Sequence, residues 1–267
     1  MRLPPTARAL PTLFKVSFAE AVAYRAEFLI WMLSTTMPLI MLALWSAVAR
    51  DAPVGRFGQK EFVSYFLATF IVRQLTGSWA GWEMNFEIRQ GTLALRLLRP
   101  IHPMLTFAAQ NLAAQPLRLV VALPMALLWL GSAGAVGLTR DPVVWAAFGA
   151  AMLGAWLVSF LTSFAIGSLA FFMESSLKVM DAWLTLFFVL SGYLIPVELF
   201  PPAVRVVADW LPFRYQLGLP VELMTGAHDR GAALALLGVQ WIWIAVMLVG
   251  AIALWRKGIE RFAAYGG

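Results

Sequence analysis

Six apolar runs, each about as long as a bilayer is thick, leave this chain few folds to choose from. They cover about 28–49, 62–82, 112–135, 143–172, 179–195 and 232–255. A helix needs about 20 apolar residues to cross the hydrocarbon core, and lipid offers no partner to an exposed backbone N–H or C=O. Composition agrees: of 267 residues, 61% are hydrophobic and 13% charged, where soluble domains carry about a quarter charged. The expected fold is an all-α membrane protein of six transmembrane helices, with 1–267 forming a single transmembrane domain.

A net charge of +6 and a pI near 10.1 would suit a nucleic-acid binder. The basic residues flank apolar runs instead of clustering on one motif, so a positive-inside pattern explains them better and no nucleic-acid partner is expected. Six spans put both termini on one side. If that side is the cytosol, it holds Arg2, Arg8, Lys15, Arg25, Arg89, Arg96, Arg99, Lys178, Arg256, Lys257 and Arg261. The other side holds Arg50, Arg56, Lys60, Arg140, Arg205, Arg214 and Arg230, so the count favours cytosolic termini. The absence of cysteine excludes disulfides and thiolate chemistry, and His102 and His228 are too few and too distant for a zinc triad. The N-terminal apolar stretch is cut by Pro11 and ended by Lys15, short of a signal peptide's core. No nucleophile elbow, H-E-x-x-H or phosphate-binding glycine loop occurs, so the chain is not expected to be an enzyme or to hydrolyse ATP. The carboxylates Glu83/Glu87 and Glu174/Asp181 stand at membrane borders among bases, where they balance charge.

Along the chain, 10–27 reads as an interfacial amphipathic helix, with Phe14, Phe18, Ala21 and Val22 on one face; a solvated tail is the alternative. Pro38, behind Ser34, Thr35 and Thr36, is expected to kink the first span. The second carries Arg73 near its middle, with Thr69, Thr76, Gly77 and Gly81 on roughly the same side. A charge there costs about 2.5–3.5 kcal/mol on insertion scales, so it must face protein or water. Arg73 either faces a path where it attracts an anionic group or bridges a dimer, or it is buried against a neighbouring carbonyl or acid. The third run starts polar, with Gln110, Asn111, Gln115 and Arg118 near the interface, and Pro116 and Pro124 are expected to bend it. Ala146, Ala150 and Gly154 form a small-residue stripe for helix packing. Between spans five and six, 196–231 is too broken by proline to span and too apolar for a free loop. Short re-entrant or interfacial helices fit it. There is no convincing internal repeat of the kind secondary transporters often show.

The longest charged break is 83–105. Arg89, Arg96 and Arg99 alternate there with Ile88, Leu93, Leu95, Leu97 and Leu98, and Pro100 and Pro103 close it. A short helix with one greasy and one cationic face follows. It suits either a membrane surface with anionic headgroups or a docking element for a soluble partner.

The run from Ile88 to Pro103 resembles the cytosolic loop of bacterial ABC-2 type permeases. The stretch Leu190-Ser-Gly-Tyr-Leu-Ile-Pro-Val-Glu-Leu-Phe-Pro201 is more similar still, as are Leu211-Pro-Phe-Arg-Tyr215 and Leu219-Pro-Val-Glu-Leu-Met-Thr-Gly226. Gly192, Pro196, Phe200, Pro201, Pro212, Phe213, Pro220 and Gly226 carry that external re-entrant motif. The resemblance is to the subgroup whose permeases often come as pairs of different chains served by one separate type of ATPase.

The resemblance implies a permease subunit of an ATP-driven exporter in the bacterial cytoplasmic membrane, moving an amphipathic or lipid-like compound. It implies two ABC ATPase subunits that carry ATP and Mg, a second permease chain, identical or homologous, and no cofactor, metal or catalytic site on this chain. Ile88, Arg89, Leu93, Arg96, Leu97, Leu98 and Arg99 would then couple to the ATPase. Leucines would fill its cleft, and Arg96 and Arg99 would pair with acids at the rim. Helices two and five would line the path, making Arg73, Thr69, Thr76 and Asp181 its candidates. The rival expectation is a secondary transporter or channel with Arg73 and Asp181 as coupling charges.

Overall fold

Helix lengths follow the apolar runs, and helix ends follow the glycines and prolines between them. The computed structural model describes residues 5–26, 29–30, 35–131 and 141–265. Its helices are α1 Pro5–Ala23, α2 Met37–Val48, α3 Gln59–Thr76, α4 Ala80–Gln90, α5 Leu93–Leu97, α6 Pro103–Ala113 and α7 Gln115–Gly131. After them come α8 Pro142–Ser168, α9 Ser176–Leu190, α10 Pro202–Trp210, α11 Pro212–Gln216, α12 Gly218–Met224 and α13 Arg230–Tyr265. The described residues are all-helical, with no strand beyond the isolated bridge of Val54 and Phe57.

Among the described residues, three stretches are long and apolar enough to cross a membrane: Pro103–Gly131, Pro142–Phe171 and Arg230–Phe262. α2 is apolar but shorter, and part of the first expected span lies outside the described residues. The second run, 62–82, is not one helix. Gly77, with extended backbone, ends α3, and a new helix starts at Ala80. Pro38 does not kink a span; it sits in the first turn of α2, where its missing N–H has no carbonyl to lose.

α8 runs through the middle, packed by α13 and α4 along its length and by α11, α12 and α9. The small-residue stripe is real but turned by about one residue from the expected face. Ala147, Ala151, Gly154 and Ala155 are buried, whereas Ala146 is exposed. A Cβ on Gly154 would lie 2.4 Å from Gln240 Oε1, so the glycine makes room for the buried Gln240 side chain of α13. α3 is buried on nearly all sides between α2, α7 and α12. α1 packs on α6 through a face holding buried Ser17, while Phe14 and Phe18 are exposed. Of the expected apolar face of α1, Phe14 and Phe18 therefore point away from the protein, as suits a helix lying in lipid, while Ala21 and Val22 are half-buried.

Candidate functional site

The break at Gly77-Ser78-Trp79 falls inside an apolar run, where a helix end leaves carbonyls that lipid cannot satisfy. Side chains of α7 satisfy them. Arg118 donates to the carbonyls of Gln74 and Gly77, and Gln115 donates to that of Leu75 at 3.0 Å. The guanidinium also meets the negative end of the α3 dipole. Across the break, the Gly81 N–H donates to Ser163 Oγ at 2.8 Å. A Cβ on Gly81 would lie 2.5 Å from the Ser163 carbonyl oxygen, and one on Gly167 2.9 Å from Gly81 Cα, so these two glycines let α4 and α8 touch.

The break opens onto a cavity of about 660 Å³. Its polar wall holds Arg73, Gln74, Ser78, Arg118, Ser159, Thr162, Ser163 and Gln216; its apolar wall holds Trp79, Trp82, Met180, Trp183, Leu184, Phe187 and Phe188. No carboxylate is among these described lining residues. The Arg73 guanidinium lies over the Phe187 ring, 5.3 Å from its centre, and makes no ion pair with a described acid. Three buried polar atoms of the lining residues have no hydrogen-bond partner: Arg73 Nε, Trp183 Nε1 and Gln216 Oε1.

Beyond α4 the chain turns at Gly91, whose φ of +74° favours glycine, and returns through α5 to α6. One side chain clamps the turn. Arg96 Nε donates to Glu87 at 2.9 Å, Nη2 to Glu83 at 3.1 Å and also to Glu87, and Nη1 to Thr106 at 2.9 Å and Gln110 at 2.8 Å. Its guanidinium sits 3.9 Å from the centre of the Phe107 ring. Leu93 is fully buried beneath the turn, while Leu95 is 65% and Leu98 81% exposed. Arg96 itself is only 7% exposed, so it is not a rim residue awaiting a partner's acid.

The model of the ABC-2 family transporter protein matches residues 36–266. The chain belongs to that family. No curated protein matches it. ABC-2 permeases are in general the non-catalytic membrane component of an ABC transporter, so this is a multi-pass membrane protein whose family implies an ABC ATPase partner.

In this ABC-2 permease the expected path residues separate. Arg73 lines the cavity; Thr69 and Thr76 are buried in α3, their hydroxyls donating to the carbonyls of Tyr65 and Val72. Asp181 is exposed on α9, is not among the cavity's lining residues and makes no ion pair with Arg73. In the coupling stretch Ile88 is half-buried, Arg89 donates to Asn85 at 3.2 Å, and Leu97 and Arg99 are exposed.

The motif expected to be external packs against α3 away from the break at Gly77. Gly192, at φ +89°, accepts from Tyr65 OH at 2.8 Å, and a Cβ there would lie 2.5 Å from that oxygen. Pro196 and Phe200 flank the single turn Val197–Leu199; Pro201 precedes α10, and Pro212 opens α11, where Phe213 is buried. Pro220 lies within buried α12, and Gly226, at φ +68°, follows it. Between α11 and α12, Arg214 donates to Glu222 at 2.7 Å and to Asp209, and His228 lies 2.7 Å from Glu222. Sequence reasoning missed Arg118, Trp183 and Gln216 as cavity residues. A base two residues after Pro116, at the polar start of an apolar run, was the available signal for Arg118; the other two follow only from packing.

Proposed function

We propose that this permease is the membrane subunit of an ATP-driven exporter in a bacterial cytoplasmic membrane. It would cross the membrane six times with both termini in the cytosol, and two permease chains, identical or homologous, would pair above two ABC ATPase subunits that bind ATP and Mg. Closure of the ATPases would push on 88–103 and re-pack the helices around the cavity, releasing an amphipathic or lipid-like compound outward.

One observation carries the coupling role: Arg96 ties α5 to both α4 and α6, while Leu95 and Leu98 project from the clamped turn. A helix adsorbed on lipid needs no such clamp, whereas an element that transmits force must not yield when pushed. Burying one leucine in an ATPase cleft contributes about 1.5–3 kcal/mol, and an aspartate there would also strand a charge. Leu98→Asp is therefore expected to lower copurified ATPase per permease by about tenfold or more and to abolish transport, with membrane insertion unchanged. Wild-type stoichiometry together with wild-type transport would sink the coupling role.

A further inference from the structure

We propose that the cavity holds an amphipathic anion, its acidic head on Arg73 and Trp183 and its apolar body along the neighbouring aromatic rings. This rests on the transport function proposed above for what becomes of the ligand; the site itself follows from its unpaired atoms. A buried donor without a partner is costly, and this chain gives partners to other buried indole and guanidinium groups. The indole N–H groups of Trp45, Trp129 and Trp156 donate to Leu194 O, Ser64 Oγ and Asn111 Oδ1 at 3.0, 2.9 and 2.7 Å. Arg96 and Arg214 are each seated on carboxylates. Among the described residues the hydroxyls of Ser46 and Ser191 also lack partners, but the two buried nitrogen donors that do, Arg73 Nε and Trp183 Nε1, share one cavity. Trp183 stands one turn before Phe187 on α9, and Phe187 carries the Arg73 guanidinium, so both donors serve the same stretch of wall.

Charge decides the sign of the ligand. A Cβ at Gly77 would lie 2.9 Å from Arg73 Nη1 and 3.6 Å from Arg118 Nη1, so two guanidinium groups converge there with no acid on the described lining. Water could fill the donors' hydrogen bonds but would leave the charge of Arg73 without an acid among the described lining residues. A cation would be repelled. Trp79, Trp82, Leu184 and Phe188 then argue against a small inorganic ion, and a volume of about 660 Å³ suits a ligand with a hydrocarbon or ring body.

The test uses the full-length permease in nanodiscs of zwitterionic phosphatidylcholine. The probe is 11-(dansylamino)undecanoate, compared with its uncharged methyl ester and read by energy transfer from tryptophan. The acid is expected to saturate, and the ester to bind about tenfold or more weakly, the factor a charge-assisted hydrogen bond supplies. Arg73→Gln is expected to bring the acid down to the ester's level, Arg73→Lys to recover part of the loss, and Trp183→Phe to weaken the acid several-fold. Melting temperatures report on folding separately. Equal affinity for acid and ester on the unaltered chain overturns the proposal, as does wild-type acid binding by folded Arg73→Gln. Displacement of the acid by added phosphatidylglycerol assigns the site to a lipid headgroup, and failure to displace assigns it to a single-chain amphiphile; both support an anionic head. Because binding is read on the permease alone, ATPase copurification can fail without it, and the two ideas fall separately.

Discussion

Three arginines in this chain meet burial in three different ways. Arg118 spends its donors on the carbonyls of a broken helix, Arg73 faces a cavity, and Arg214 is held between Asp209 and Glu222. The last case has the clearest dependence on pH. Burial alone would raise the Glu222 carboxyl, but the hydrogen bond from His228 and the charge and hydrogen bond of Arg214 outweigh it and hold it at about 2, against an ordinary 4.5. A carboxyl depressed by folding gives stability that is complete above pH 4.5 and is lost as pH falls toward about 2. Glu222→Gln keeps the shape and removes the charge, leaving Arg214 with Asp209. Breaking a buried pair in this way costs about 3–5 kcal/mol, so the variant should melt well below the wild type at pH 7. The gap should close as the wild type is acidified from pH 4.5 downward. A gap in melting temperature that stays constant from pH 7 to 3 would show that Glu222 is not held by its charge.

At the scale of elements, the α4–α5–α6 turn depends on Arg96. Burial raises the Glu83 carboxyl, which the charge of Arg96 opposes. Arg96→Met would leave Glu83 and Glu87 facing each other without a cation; because Glu83 is 40% exposed and keeps part of its hydration, the cost is expected to fall below the ~3–5 kcal/mol of a fully buried pair. Arg96→Lys keeps the charge but not the planar fork that reaches Glu83, Glu87, Thr106 and Gln110 together, and should recover only part of that. Faster proteolysis within 88–103 in Arg96→Met than in wild type checks it; equal rates would mean the turn is held by Leu93 alone. The sequence made the alternation of arginine and leucine in this turn visible, and with it a helix with a greasy face. It did not say which arginine turns inward, because Glu83 and Glu87 lie 13 and 9 residues before Arg96 and meet it only after the chain reverses at Gly91. The second apolar run misled for a related reason. Hydropathy averages over Gly77, so a break stabilised by Arg118 from another helix leaves no local trace. Arg73, by contrast, was legible as a cavity candidate because a charge in mid-run has few places to go.

The whole molecule has an outside surface that fits lipid. α13 has 36 residues and so runs about 54 Å, well beyond the hydrocarbon core, with Val239, Ile242, Val246 and Val249 exposed in a row and Arg256, Lys257 and Arg261 near its end. α10 is strongly two-faced, with Ala208 buried while Val204, Val206, Val207 and Trp210 are exposed, as expected of a helix lying in an interface. Lipid-facing rows alone do not say which end is cytosolic; the distribution of arginine and lysine favours the proposed orientation, with 88–103 inside. The chain has no cysteine, so single introduced cysteines test this directly. Position 96 is useless for the purpose, since Arg96 is buried and a thiol there would stay silent on either side. Arg140, another base assigned to the outside, lies outside the described residues. Exposed Arg205, Leu98 and Arg261 serve instead. In intact cells an impermeant maleimide is expected to label a cysteine at 205 but not at 98 or 261, and all three should label once the membrane is permeabilised. Labelling at 98 with silence at 205 in intact cells would invert the chain. It would also place the exposed leucines away from any cytosolic ATPase, so the coupling role would fall with the orientation.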